Sequence, residues 1–212
     1  CVAGRALDCT SFGGPVSADG WGSISDHERL AVGVGRSWRV TELNLLEGAS
    51  VEQWKALLGG LNLAETLVSL WLKFSGGVFD VSSDPSTINS LAKIQVLGLE
   101  NVSGSLSFVQ TLTQLQDLSL DNTQVSGSLS FLQNLTQLQK LSLSNTQVSG
   151  SLSFLQNLTQ LQSLYLSNTQ VSGSLSFLQS LTQLQILYLN NTQLSDSLSF
   201  LQNLTQLQEL SL

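Results

Sequence analysis

The chain has 212 residues, a formal net charge of −7, and charged side chains at only 11% of its positions. Beyond Lys93 the only basic residue is Lys140, so there is no basic stripe for phosphates, and a nucleic-acid partner is excluded. No apolar run reaches the length of a membrane span in this segment. The chain contains no Met, so the expectation is that a leader has been removed or that the segment belongs to a longer protein.

Residues 1–39 are not repetitive. They are rich in Gly and Ser, with Trp21 and Trp38 as large apolar anchors, and they stand where an array of repeats needs an atypical end unit to cover its first core layer. This segment is expected to be an N-terminal cap, with a short helix over Asp26–Leu30 and Ser25 as its N-cap. Cys1 and Cys9 lie close enough in sequence to form a capping disulfide, with two free thiols as the alternative. A zinc site needs about four ligands, so neither a metal nor a cofactor is expected. His27, the one histidine, has no Ser, Cys or metal partner at useful spacing and reads as structural.

From Val40 a pattern takes over: an apolar residue, two variable positions, Leu, one variable position, Leu. It runs through Val40-Leu43-Leu45, Leu67-Leu70-Leu72, Ile94-Leu97-Leu99 and Leu115-Leu118-Leu120. It continues at a step of 23 residues to Leu207-Leu210-Leu212. Self-similarity at such a period marks a solenoid, in which each unit contacts only its neighbours. Residues 40–212 therefore form one array of about eight repeats, the last incomplete. The alternation of Leu with polar residues predicts half-buried strands, stacked as one parallel sheet. The first long repeats are expected to return through helices over Val51–Leu58 and Pro85–Lys93. The later units return through VSGSLSFLQNLTQ, where Gly127, Gly150 and Gly173 mark a turn that rejects a side chain. Asp196 takes that place in the last full copy. Phe108, Phe131, Phe154, Phe177 and Phe200 recur as a column of rings.

LxxLxLxNTQVSGSLSFLQNLTQ resembles the leucine-rich repeat family, most closely its plant-type version, and the resemblance spans roughly residues 40–212. It implies a repeat solenoid, α/β to mainly β: a curved array with a parallel sheet on its concave face. It also implies a short second strand after the SG pair. GRSWRVTELNL (Gly35–Leu45) is similar to the junction between cap and first repeat in that subclass. These units are one residue shorter than the plant-type repeat and lack its Pro. Thr123, Thr146, Thr169 and Thr192 stand where that family has a buried asparagine ladder, and Asn122, Asn145 and Asn168 lie one residue earlier. The threonine hydroxyls are expected to bond the backbone of a neighbouring turn.

No catalytic constellation is present, since none of the repeated Ser and Thr has a base at matching spacing, and the chain is read as no enzyme. Recognition falls to the outward positions of the concave sheet. Tyr165 and Tyr188 are expected one strand apart, ~4.8 Å, with Trp71 earlier in the same column. Asp117, Asp121, Lys140 and Asn190 complete the candidate ligand-binding set. The expected function is a non-catalytic binding scaffold for a protein or glycan, located in a secreted, cell-surface or organelle-lumenal setting. The alternatives are an accessory subunit of a larger assembly and the repeat portion of a longer receptor-like protein. The last copy stops at Leu212 within a predicted strand, so further repeats or a neighbouring subunit are expected at that end.

Glycosylation sequons occur at Asn101, Asn134, Asn157, Asn190 and Asn203, and Asn134, Asn157 and Asn203 occupy one repeat position. Peptide mass mapping of native material is expected to find glycans at these three. Unmodified asparagine at all of them would count against a secretory route.

Overall fold

The computed structural model describes residues 42–49, 67–74, 78–83, 91–195 and 198–212. The cap over residues 1–39, Cys1, Cys9, His27, the helix expected over Val51–Leu58 and Asp196 lie outside the described residues. So does most of the helix expected over Pro85–Lys93.

Each leucine pattern forms a strand because its alternate residues face a common interior. These strands are β1 (Glu42–Ala49), β2 (Ser69–Phe74), β4 (Val96–Glu100), β6 (Asp117–Ser119), β8 (Lys140–Ser142), β10 (Ser163–Tyr165), β12 (Ile186–Tyr188) and β14 (Glu209–Ser211). They form an eight-stranded sheet in chain order, with every neighbouring pair parallel and equivalent positions opposite one another, as in Leu141 beside Leu164 and Leu164 beside Leu187. Leu70, Leu97, Leu118, Leu141, Leu164 and Leu187 are fully buried, so one apolar layer passes continuously from unit to unit.

The leucine-pattern strands thus stack as the one parallel sheet expected of them, and a second, six-stranded parallel sheet lies beside it, in keeping with the second strand that the family resemblance implied. It comprises β3 (Phe79–Asp80), β5 (Val102–Ser105), β7 (Gln124–Ser128), β9 (Gln147–Ser151), β11 (Gln170–Gly173) and β13 (Gln193–Leu194). Each of its strands holds a single apolar residue among Gln, Ser, Gly or Asp, so no apolar alternation announces it. Here Ser126 faces Gln147 rather than its own equivalent, Ser149. A displacement of two residues preserves the inward or outward sense of every side chain, so Val125, Val148 and Val171 all remain buried.

The return segments close with short 3-10 turns over Leu106–Thr111, Ser130–Asn134, Ser153–Asn157, Leu175–Ser180 and Leu198–Asn203. Phe108, Phe154, Phe177 and Phe200 are buried in these turns, and Phe131 is partly buried against the same core. The turn glycines Gly127, Gly150 and Gly173 have φ between 91° and 106°. Space is not their constraint, because a Cβ on Gly127 would meet nothing within 4 Å. The left-handed backbone is what favours glycine here.

The turn that leaves the first sheet carries a regular tie between repeats. Asn101, Asn122, Asn145, Asn168 and Asn191 all hold φ of 56° to 58°, a region that short polar side chains tolerate better than others. Asn145 Nδ2 donates to Asn122 Oδ1 at 2.9 Å, Asn168 to Asn145 at 2.7 Å, and Asn191 to Asn168 at 2.7 Å. The backbone N–H groups of Asn122, Asn145 and Asn168 also donate to carbonyls of the next unit. The threonine expectation is corrected here. The hydroxyls of Thr123, Thr146 and Thr169 donate to Leu120, Leu143 and Leu166 carbonyls of their own turn, at 2.6–2.7 Å. A buried hydroxyl three residues past a carbonyl reaches it without crossing to another repeat.

At β14 the apolar layer is less covered: Leu210 is 41% and Leu212 51% exposed, against 0% and 3% for Leu187 and Leu189. Among the described residues no helix is long and apolar enough to cross a membrane.

Asn145→Ala breaks two ladder bonds and places a Cβ without polar help at a left-handed position. We expect a loss of roughly 1–3 kcal/mol in urea unfolding. Asn145→Gly keeps the backbone relaxed and should lose less; equal losses would show that strain plays no part.

Candidate functional site

The outward residues of the eight-stranded sheet form columns that run across the strands. One reads Trp71, Gly98, Ser119, Ser142, Tyr165, Tyr188 and Ser211, each residue opposite the next. The expected adjacency of Tyr165 and Tyr188 is present. Their ring centroids are 5.3 Å apart at 79°, an edge-to-face pair, and both side chains are half-buried. Trp71 lies in the same column but does not touch them. Its ring lies across Gly98, where an added Cβ would fall 2.0 Å from Trp71 Cε3. Glycine is therefore required for the indole to lie flat. Ser119 and Ser142 are buried and form a low floor between the indole and the tyrosines.

A second column reads Val96, Asp117, Lys140, Ser163, Ile186 and Glu209. Asp117 and Lys140 pair at 3.5 Å, and Asp117 also accepts from Ser119 Oγ. Lys73 and Glu100 pair at 2.8 Å, and the hydrogen bond to Glu100 raises the lysine pKa above its ordinary value. Both pairs are partly solvated, so each contributes little to stability. Asp121 serves the scaffold more directly. It accepts from Ser144 N at 2.7 Å and from Ser142 Oγ, gripping the next unit. Asn190 Oδ1 accepts from Ser167 Oγ in the same manner.

Tyr188 Oη donates to Glu209 Oε2 at 2.6 Å, and this bond pushes the phenol pKa up, so the group stays a neutral donor. Glu209 drew no notice in the sequence because its strand partner is fixed only by register. Around this pair lies a shallow groove of about 630 Å³, lined by Ser144, Ser167, Asn190, Gln208 and Ser211. Among the described residues no group of three or more His, Cys, Asp and Glu is arranged to hold a metal.

Of the sequon asparagines, Asn134 and Asn157 are exposed and Asn203 is half-buried; each closes a 3-10 turn. The Asn101 amide donates to the Phe74 carbonyl at 2.8 Å, so its nitrogen is engaged.

Two parallel sheets stacked unit on unit, with leucines inside and a polar open face, define a solenoid of the leucine-rich class. The sequence profile described as Leucine Rich repeats (2 copies) matches residues 136–180 and 159–203. No curated protein matches the chain. Among solved structures, the chain is similar to the ectodomain of the Arabidopsis receptor kinase HAESA, solved with a peptide hormone ligand. The TM-score is 0.69 at 27% identity, over 82% of this chain and 30% of that one. Internalin C2 of Listeria monocytogenes aligns with a TM-score of 0.63 at 28% identity, over 82% of this chain and 81% of that one. A TDR receptor aligns at 0.62 and 27% identity, over 74% of this chain and 27% of that one. The chain thus spans less than a third of the two receptor structures. The profile covers residues 136–203, and the fold is that of a leucine-rich repeat solenoid.

Gly98→Ala should lift the Trp71 ring off the sheet. The expected signature is a red shift of tryptophan emission, absent in a Trp71→Phe background, with a stability loss of about 1–3 kcal/mol. An unshifted spectrum would mean that the ring does not depend on this notch.

Proposed function

We propose that this chain is a non-catalytic recognition module that binds a protein or peptide segment laid across the open, concave face of the eight-stranded sheet. The observation that carries this reading is the Tyr165–Tyr188 pair, two amphipathic rings in contact, of which Tyr188 lines a shallow groove. Tyrosine and tryptophan supply contact area at low entropic cost, so Tyr165, Tyr188 and Trp71 are the anchors. Asp117, Asp121, Lys140 and Asn190 are the polar contacts around them. Resemblance to the HAESA ectodomain, solved with a peptide hormone ligand, supports the same class of partner. It also supports a secreted, cell-surface or lumenal setting. A glycan is the competing ligand class, since hydroxyl and amide rows serve it equally well.

Peptide and glycan arrays probed with the wild type, Tyr165→Ala and Tyr188→Ala separate these cases. Peptide hits should weaken by about 2 kcal/mol, roughly thirtyfold, in at least one variant. Hits indifferent to both substitutions would remove the tyrosines from the site, and binding confined to the glycan array would replace the partner class.

A further inference from the structure

The groove beside Tyr188 has a chemical polarity that the aromatic pair alone does not reveal. From Leu141 to Leu212 the chain contains no Lys, Arg or His. The groove's ionised group is Glu209, and its remaining polar lining consists of hydroxyls and side-chain amides. A carboxylate, phosphate or sulfate entering here would meet a negative charge and no compensating cation. Lys140 does not neutralise Glu209. It stands in the same column three strands away, past Ser163 and Ile186, about 14 Å at the usual strand spacing. That exceeds the screening length of about 8 Å at physiological ionic strength. Lys140 is in any case paired with Asp117.

Glu209 is also held in place. Its Oε2 accepts the Tyr188 hydroxyl, which fixes the carboxylate against the rim of the ring and leaves Oε1 as an acceptor. Tyr165 and Tyr188 meet edge to face, and the hydroxyl bond to Glu209 sets the Tyr188 ring beside a carboxylate. A flat cation with several donors satisfies both features, since it can lie over a tyrosine face and donate to a carboxylate in one pose. Ser167 and Asn190 line the same groove and already bond each other, so Asn190 Oδ1 is oriented as an acceptor.

We infer that the groove formed by Tyr188, Glu209 and Asn190 is a receptor for one arginine side chain of the peptide or protein ligand. This rests on the open-face reading above and narrows it to the side-chain chemistry recognised. Lysine fits less well, because its compact ammonium cannot lie flat on the ring and reach the carboxylate and amide oxygens together.

Tyr165 and Tyr188 are the chain's only tyrosines, so ¹³C-tyrosine labelling yields two assignable ring spin systems. The probes are N-acetyl-arginine methylamide and its neutral isostere N-acetyl-citrulline methylamide. The arginine probe is expected to shift the Tyr188 ring signals saturably, and the citrulline probe to bind at least tenfold more weakly. Glu209→Gln, checked for an unchanged near-UV spectrum, should reduce arginine binding roughly tenfold. Equal binding of the two probes, or arginine binding untouched by Glu209→Gln, overturns the inference. If the arrays still give tyrosine-dependent peptides in that event, the open-face reading survives without it. Arginine-probe binding together with arrays free of tyrosine-dependent peptides would uphold the cation site and sink the peptide-ligand reading instead.

Discussion

The architecture depends on one tie between neighbours: an asparagine in left-handed conformation that gives both its backbone N–H and its side-chain amide to the repeats beside it. Asn122, Asn145, Asn168 and Asn191 each lie three residues past a strand of the eight-stranded sheet at nearly the same φ. The turn lets the chain leave the strand, and the amide chain locks each turn to the one before it. A single 23-residue unit buries too little apolar surface to offset its ordering entropy. Its leucines become buried on both sides only when a neighbour is held at strand spacing, and the ladder holds it there.

That regular stacking produces the open face as a by-product. Equivalent positions align across the eight-stranded sheet, so any residue type repeated in sequence becomes a row in space. Most rows carry Ser, Asn and Gln, and several of these serve the scaffold: Asp121 grips Ser142 and Ser144, and Ser167 bonds Asn190. The aromatic positions break the regularity. Trp71 lies down because Gly98 makes room, while Tyr165 and Tyr188 stand together above a floor of small residues.

Charge is scarce, and where it occurs it is largely tied up locally. Lys73–Glu100 and Lys140–Asp117 neutralise each other across adjacent strands. Glu209 instead engages a neutral phenol, which orients the carboxylate without cancelling its charge. The electrostatic character of the face beside the tyrosines is therefore set by one residue.

The solenoid, the parallel stacking and the pairing of Tyr165 with Tyr188 were legible in the sequence, because a fixed period of Leu positions sets equivalent residues of the leucine-pattern strands opposite one another. The turn glycines were legible as turns, though left-handed backbone rather than crowding explains them. The second sheet was not legible from periodicity, since each of its strands holds only one apolar residue and so shows no alternation. Nor was the ladder's owner. Asparagine and threonine are adjacent in every copy, and only the backbone dihedral decides which side chain points outward to the next repeat and which bonds back into its own turn. The notch at Gly98 and the Glu209 partner of Tyr188 were likewise decided by tertiary structure. Each joins residues more than 20 apart in sequence, and what brings them together is strand register, with side-chain geometry settling the contact.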